Sequence, residues 1–174
     1  MSDPQRPTTG AFREAAARQV AEKAMELLKL MAQDAEDLRI ISAHMQDAVV
    51  RIGDICWMPK KGRFALLANR FEWLSHLRGE NDVPMQARTG LHFEHVRRVR
   101  SRNIRQDAGD GVLELLAIAF HPAEEEEAGI IDLIFAGDGI IRLEVECIQA
   151  WMEDLGECWQ ADCLPCHDED AGAD

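Results

Sequence analysis

Strict alternation of apolar and charged residues marks the clearest element, a strand in the second half of the chain. Between residues 139 and 148 the alternating residues are Ile141, Arg142, Leu143, Glu144, Val145, Glu146 and Cys147. Only a strand places the apolar and charged sets on opposite faces. A second β-rich run, 129–135, precedes it across the sequence Ala136-Gly137-Asp138-Gly139. Because Gly137 and Gly139 can adopt the positive φ of a tight turn, the pattern predicts an antiparallel hairpin.

Helical periodicity is confined to the first part of the chain. From Thr9, a segment rich in strong helix formers carries an apolar stripe formed by Phe12, Ala16, Val20, Ala24, Leu27 and Met31. The end of this helix is ambiguous, because Leu28, Leu30 and Ala32 also alternate and could begin a strand. A second helix is predicted from 35 to about 46, after acidic residues that suit a helix N-terminus. The first helix either lies on its own domain or pairs with another subunit.

From Ala48 onward the pattern predicts strands joined largely by hairpins. The sequence from Pro59 to Gly62 separates two apolar runs and predicts a turn, with Gly62 in the left-handed region. We expect a loop over 78–89, one strand over 91–104, and a central strand, covered on both faces, over 112–120. The core should include Leu115, Ile118, Leu133, Phe135, Leu143 and Val145.

These elements predict a β-dominated α+β fold, in which two N-terminal helices precede a mainly antiparallel sheet of about six to seven strands, curled as a barrel or half-barrel. The predicted organisation has three parts. Residues 1–26 form a disordered lead and a helical extension, 27–156 form a single β-rich domain, and 157–174 form an acidic, cysteine-containing tail. A chain of 174 residues is long enough to bury a core without disulfides or metals.

Charge and composition narrow the classes of function. The formal net charge is −13, and eight of the acids lie after residue 152 with no Lys or Arg among them. An acidic field repels phosphate backbones, which disfavours general binding to nucleic acid or anionic membranes. No apolar run approaches the roughly 20 residues of a membrane span, and the N-terminus lacks the pattern of a secretion signal. We therefore expect a cytoplasmic protein whose five cysteines are free thiols or ligands rather than disulfides.

Two stretches of the chain resemble a bacterial family of uncharacterised proteins, a domain of unknown function. The most distinctive strings are SAHMQD, from Ser42 to Asp47, and RLEVEC, from Arg142 to Cys147. The resemblance covers residues from about 28 to about 167 and implies no activity. It also implies that the helix from Thr9 and the C-terminal cysteine cluster are additions to the family pattern, so a role for either cannot be taken from the family.

The C-terminal cysteines form the only constellation with recognisable ligand chemistry. Cys158, Cys163, Cys166 and His167 follow the pattern C-x4-C-x2-C-H, whose thiolates and imidazole could converge on one tetrahedral zinc. A thiol redox pair and c-type haem attachment are alternatives, although haem attachment of that type requires export. The interpretation we favour is that these cysteines are incidental to an acidic tail, so no cofactor is assigned.

A row of arginines is the main basic feature. Alternation would place Arg98, Arg100 and Arg102 on one strand face, where guanidinium groups could bind phosphates or carboxylates. The simpler alternative is that the row forms ion pairs with Glu144 and Glu146 or with the acidic tail. An anion site is therefore a candidate and not the favoured interpretation.

No catalytic set is recognisable in the sequence. His44, Asp47 and His121 are catalytic residue types, but no nucleophile stands beside a base at a characteristic spacing. We predict a non-enzymatic structural or interaction module that forms a homo-oligomer, because the first helix and the sheet edges both need a partner. The alternatives are a small enzyme whose site is not visible in sequence and a zinc-binding or anion-binding module. The sequence identifies no small-molecule ligand.

Overall fold

The computed structural model describes residues 27–73, 77–79, 85–124, 127–156 and 158–160. Within these ranges the chain forms one α-helix, α1 (Ala35–Met45), and ten strands. The strands are β1 (Lys29–Ala32), β2 (Ala48–Met58), β3 (Arg63–Phe71), β4 (Met85–Phe93), β5 (Val96–Arg102), β6 (Val112–Pro122), β7 (Gly129–Phe135), β8 (Gly139–Val145), β9 (Ala150–Asp154) and β10 (Trp159–Gln160). The predicted helix from Thr9 lies outside the described residues as far as residue 26, and its last stripe residue, Met31, belongs to β1 instead. Helix α1 confirms the second predicted helix.

The strands form one antiparallel sheet in the order β1-β9-β4-β3-β2-β6-β7-β8-β5, and β10 pairs with the start of β4. Only two residues join β4 to β5, although the two strands stand far apart in this order. The sheet must therefore curl, and the amide of Val96 donates a hydrogen bond of 2.9 Å to the carbonyl of Gly62. Along the described strands no ladder joins β5 to β3 or β4, so the sheet is not closed into a barrel.

The prediction of six or seven strands was wrong because short and closely spaced strands were missed. The single strand predicted over 91–104 is two strands, β4 and β5, and the chain reverses between them at His95, which has φ of 55°. The loop predicted over 78–89 already contains the start of β4, where Ala87 and Thr89 are buried. The ambiguous residues before Gln33 form β1 rather than the end of a helix.

The predicted tight turns are present, but in one of them Asp138 takes the left-handed position expected of Gly139. The turn before β3 places Gly62 at φ of 60°, in the left-handed region as predicted. In the β7–β8 turn, Gly137 has φ of 75°. The second left-handed residue is Asp138, with φ of 61°, whereas Gly139 has an extended backbone. Asp tolerates the left-handed region better than most residues, so the hairpin forms with one glycine in that region.

Helix α1 packs on the inner face of the curled sheet beside β6. The Asp34 side chain caps it by accepting a hydrogen bond of 2.8 Å from the amide of Asp37. The amide of Ile118 donates to the hydroxyl of Ser42 at 2.9 Å, close to the irregularity after Leu115 where β2 no longer pairs with β6. The helix therefore occupies the position beside β6 that β2 leaves open.

The core lies between α1 and the inner face of the sheet. All six residues predicted for it are buried: Leu115, Ile118, Leu133, Phe135, Leu143 and Val145. The expectation that β6 is covered on both faces was wrong, because Val112 is 61% exposed and Leu116 is 39% exposed. The outer face of β6 is thus open to solvent. In the described ranges, no helix has the length and apolar character needed to cross a bilayer.

Candidate functional site

Four neighbouring strands present a row of small and aromatic side chains on the outer face of the sheet. Residues directly opposite each other on paired strands point to the same face. Cys56 on β2 lies opposite Ala65 on β3, Ala65 lies opposite His92 on β4, and His92 lies opposite Trp151 on β9. These residues line a depression of about 370 Å³, which we call the outer groove.

The floor of the outer groove depends on a glycine. Gly90 on β4 pairs with Leu67 on β3, and both residues line the outer groove. A Cβ atom at position 90 would lie 3.4 Å from Cδ1 of Leu155 and 3.8 Å from Cδ2 of Leu67. A single Cβ would therefore fit, whereas a longer side chain would fill the space between the two leucines.

A stacked aromatic pair forms one wall of the outer groove. The rings of His92 and Trp151 have centroids 4.9 Å apart and planes inclined by 14°. Burial, followed by the nearby charge of Arg63, lowers the pKa of His92 below its ordinary value. The imidazole is therefore largely neutral near pH 7, and this wall presents a mainly uncharged surface.

The opposite end of the outer groove is polar. Arg88 donates hydrogen bonds to the side-chain oxygens of Asn69, at 3.1 Å, and Asp54, at 3.0 Å. Asp54 lines the outer groove, and the exposed thiol of Cys56 lies two residues beyond it on β2. The outer groove can thus bind an apolar group, and the reactivity of the Cys56 thiol would report whether the outer groove is occupied.

A buried carboxylate on the inner face fastens together the strands that form the outer groove. Oδ1 of Asp154 accepts hydrogen bonds from Nε of Arg70 at 2.9 Å and from the hydroxyl of Thr89 at 2.8 Å. Oδ2 accepts from Nη2 of Arg70 at 2.6 Å and from the amide of Leu28 at 3.1 Å. These donors come from β3, β4 and the residue before β1, so Asp154 joins four adjacent strands.

The charges of this cluster support one another. Burial alone would raise the pKa of Asp154, but the hydrogen bonds and charge of Arg70 outweigh burial, and the pKa lies below its ordinary value. Burial alone would lower the pKa of Arg70, but Asp154 and Glu72 hold that pKa above its ordinary value. Burial and the charge of Arg70 lower the pKa of His44. The cluster is a structural ion pair beside a largely neutral histidine.

The arginine row lies on β5, at an end of the sheet. Arg98 is opposite Glu144 and Arg100 is opposite Arg142 on β8, so the predicted alternation places the row on the outward face. Arg100 forms an ion pair with Glu144 at 3.4 Å. Within the described part of the chain, no ion pair involves Arg98 or Arg102. Anion binding by this row remains a prediction.

Most of the predicted zinc site lies outside the described residues. Cys163, Cys166 and His167 belong to that part of the chain, and Cys158 alone is described. Burial, followed by the charge of Asp154, raises the pKa of the Cys158 thiol. In the described ranges, no group of three or more His, Cys, Asp or Glu residues could hold a metal ion. Zinc binding by the full set stays a prediction.

The outer groove and the ion pair beneath it were both missed in the sequence. A usable signal was present, because Arg70 follows Phe64, Leu66 and Ala68 in the inward register of β3, where a charge needs a partner. Asp154 likewise follows Ala150 and Met152 in the inward register of β9. Two opposite charges in buried registers predict a pair, although the order of the strands is needed to show that they meet.

The fold places this chain among α+β proteins built on a single open, antiparallel sheet. The chain belongs to the family described as Protein of unknown function (DUF2948), whose family model matches residues 28–167. This match confirms the resemblance noted from the two sequence strings, including its approximate bounds. No curated protein and no solved structure matches the chain.

Proposed function

We propose that this protein is a non-enzymatic interaction module that self-associates, with the N-terminal segment (residues 1–26) of one copy lying in the outer groove of a second copy. The observation that supports this proposal best is the exposed apolar surface where the N-terminal segment joins the sheet. Leu27, and Met31 on β1, are 44% and 49% exposed. Met31 lies opposite Trp151, the aromatic wall of the outer groove.

The chain also leaves the described part of the fold beside the outer groove. The amide of Leu28 donates to the Asp154 side chain, and its carbonyl accepts from the amide of Asp154 at 2.9 Å. Extending this antiparallel register by one residue places Leu27 beside Leu155, which lines the outer groove and is 52% exposed. The N-terminal segment therefore starts at the rim of the surface that it is proposed to cover.

The segment is long enough to cross the outer groove. A helix over residues 9–26 would be about 27 Å long at a rise of about 1.5 Å per residue. The centres of β1 and β2 are separated by four strand spacings, or about 19 Å. Such a helix would cross every strand of the outer groove, and burial of Phe12 and Val20 would contribute about 1.5 to 3 kcal/mol each.

A second copy is a better recipient than the same copy. Both hydrogen-bonding groups of Leu28 are held by Asp154, so the segment would have to reverse within a residue or two to enter its own outer groove. Reciprocal exchange between two copies requires no such reversal and gives a closed dimer with two identical contacts. The net charge of −13 opposes association, but its reach is only about 8 Å at physiological salt.

Light scattering after size exclusion tests the assembly. The full chain should elute as a dimer, and removal of residues 1–24 should give monomers of the truncated chain. Gly90→Leu should also dissociate the dimer, because the new side chain would fill the space between Leu67 and Leu155. Gly109→Leu is the matched control, since a Cβ at position 109 meets nothing within 4 Å. A full chain that runs as a 19.6 kDa monomer at tens of micromolar would refute self-association.

Thiol labelling tests occupancy of the outer groove independently. A brief pulse of iodoacetamide, followed by peptide mass spectrometry, should label Cys56 slowly in the full chain and several-fold faster after removal of residues 1–24. Cys147, on β8's connection to β9, is the internal control and should label at one rate in both forms. A dimer with fast labelling of Cys56 would place the interface elsewhere, and a monomer with slow labelling would show that the segment covers its own outer groove.

A further inference from the structure

Two open strand edges line a gap in the curled sheet. β5 is paired with β8 on one side only. β2 pairs with β6 from Ala48 to Arg51, and from Ile55 onward it is paired with β3 alone. Within the described residues no ladder joins β2 to β5, and the space between them measures about 370 Å³. We call this space the edge cleft, and its lining includes Ile55, Trp57, Phe64, Val99, Ser101 and Ile141.

Backbone contacts limit the edge cleft at both ends. At one end the amide of Val96 donates a hydrogen bond of 2.9 Å to the carbonyl of Gly62. At the other end the chain that leaves β5 returns to β2, where the amide of Gly53 donates to the carbonyl of Gly109 at 3.0 Å. The open edge of β5 between these contacts includes the residues from Arg98 to Arg102. This edge has the length of a short strand, and its unpaired backbone groups can accept a further strand.

The inner side of the edge cleft is apolar. Val99 lies opposite Leu143 on β8, and Leu143 is fully buried, so Val99 points inward. Ile55 and Trp57 on β2 point the same way, because each lies opposite a buried residue of β3. Among the described residues, every one that lines the edge cleft is uncharged. A strand added to β5 would therefore direct apolar side chains inward.

The outer side of the same edge is basic. Arg98, Arg100 and Arg102 alternate with the inward residues of β5 and are exposed. Arg100 forms an ion pair with Glu144 at 3.4 Å, whereas no ion pair in the described part of the chain involves Arg98 or Arg102. Opposite charges directly across two strands stabilise their pairing, and like charges destabilise it. The arginine row therefore favours an acidic neighbour on the open side of β5 and disfavours the β5 strand of a second copy.

We propose that β5 accepts an added strand from another protein, an extended segment of about five residues in which acidic and apolar residues alternate. Its acidic side chains would lie on the outer face beside the arginine row, and its apolar side chains would enter the edge cleft beside Val99 and Trp57. Strand addition derives affinity from main-chain hydrogen bonds and specificity from alternate side chains. One such segment uses both faces of β5, so no arginine has to reach into the edge cleft. The site is separate from the outer groove and does not depend on self-association.

Calorimetric titration of the full chain with synthetic peptides tests the proposal. The probe is a heptapeptide of alternating Glu and Val with both ends blocked, and it should bind saturably. Replacement of every Glu by Gln, or of every Val by Ser, should weaken binding by about tenfold or more. A peptide of the same composition, with its Glu and Val residues grouped in separate halves, is the matched control and should bind at least as weakly as these two. No saturable binding of the alternating peptide, or equal affinity for the grouped peptide, would overturn the proposal.

Methylation of the peptide backbone tests strand pairing directly. One form of the probe carries N-methyl groups on its Glu residues, and a second form carries them on its Val residues. Alternate residues of a strand direct their N–H groups to opposite sides, so at least one of the two forms should lose binding. Full binding by both forms would show that charge alone attracts the peptide, and strand addition would be wrong.

Two pairs of substitutions locate the peptide. Arg98→Gln combined with Arg102→Gln should weaken the alternating peptide by about tenfold, because both guanidinium groups lie beside the added strand. Arg39→Gln combined with Arg78→Gln is the matched control, since it removes the same charge from exposed residues on α1 and after β3 and should leave binding unchanged. Equal losses in the two double variants would show that only net charge matters and would overturn the proposal.

The same titrations decide between occupants of the open edge. A single-stranded oligouridylate that displaces the peptide at a lower concentration than the peptide itself would assign the arginine row to nucleic acid. A change in oligomeric state on addition of the peptide, measured by light scattering, would assign the edge to a second copy. We expect neither result, and either one would overturn the proposal. The fluorescence of Trp57, with Trp57→Phe as the reference for the other tryptophans, should follow the calorimetric curve, and a curve that does not would place the peptide outside the edge cleft.

Discussion

Removal of the Asp154 carboxylate should destabilise the fold more than any change to the neighbouring surface charges. In Asp154→Ala, the guanidinium of Arg70 would stay buried without its main partner, since both side chains are only 1% exposed. Breaking a buried pair by removing one member typically costs about 3 to 5 kcal/mol. A domain of this size is stable by about 5 to 15 kcal/mol, so the loss would be a large fraction of the total.

Two features of the structure act on the expected loss in opposite directions. Glu72 accepts a hydrogen bond of 3.0 Å from Arg70 and would still balance part of its charge. On the other side, the hydroxyl of Thr89 and the amide of Leu28 would each lose an acceptor. An unsatisfied buried donor costs about 1 to 3 kcal/mol, and Leu28 is close enough to the surface for water to replace part of its bond.

Urea unfolding of a double-mutant cycle measures this interaction. Arg70→Met and Asp154→Ala should each lose several kcal/mol, and the double variant should lose clearly less than their sum, because neither charge is then left unpaired. Glu153→Gln is the matched control. Glu153 precedes Asp154 in sequence and points to the opposite face of the sheet. Its ion pair with Lys29 is at least half exposed at both ends, so Glu153→Gln should cost no more than about 1 kcal/mol.

The stability difference should also depend on pH in a defined direction. The folded protein lowers the pKa of Asp154. The contribution of Asp154 to stability is therefore complete above the unfolded pKa of about 3.9, and it is lost as the pH falls through the lower pKa of the folded state. The difference between wild type and Asp154→Ala should be constant above about pH 5 and shrink below about pH 4. Additive losses within about 0.5 kcal/mol, or a difference that grows in acid, would refute the reasoning.

Two further predictions concern the core and the cysteine cluster. Leu143→Ala should cost about 2 to 5 kcal/mol in urea unfolding because Leu143 is fully buried, whereas Val112→Ala, at a position 61% exposed, should change stability by less than about 0.5 kcal/mol. Elemental analysis should find well under one zinc per chain, because the interpretation we favour is that these cysteines are incidental to an acidic tail. One zinc per chain that chelator removes would instead establish the site at Cys158 to His167.

Local patterns predicted the strands whose two faces differ. The β7–β8 hairpin was predicted because alternation and turn residues act over a few positions, and the structure confirms that the two strands pair antiparallel. The core residues followed for the same reason. β10 was missed because a strand of two residues is too short to show a period, and β1 was left open because its alternating residues could also end the first helix. Both strands are held by partners distant in sequence. The division between β4 and β5 depends on His95 in the left-handed region, which composition does not reveal.

The candidate sites were harder to predict because each is assembled across strands. The outer groove depends on Gly90 standing beside Leu67 and near Leu155, positions that are separated by up to 88 residues and related only by the order of strands. The arginine row was recognised, and alternation predicted that its members share one strand face. Its position at an end of the sheet required the topology.

The ion pair and the outer groove are connected through Leu28. Asp154 holds both the amide and the carbonyl of this residue, and Leu28 is the point at which the N-terminal segment joins the sheet. β1 has four residues, forms an edge of the described sheet and is paired along its whole length with β9. The same carboxylate thus secures β3, β4 and β9 under the outer groove and sets where the segment leaves its rim. Self-association through that segment would therefore depend on a residue that the partner copy does not need to touch.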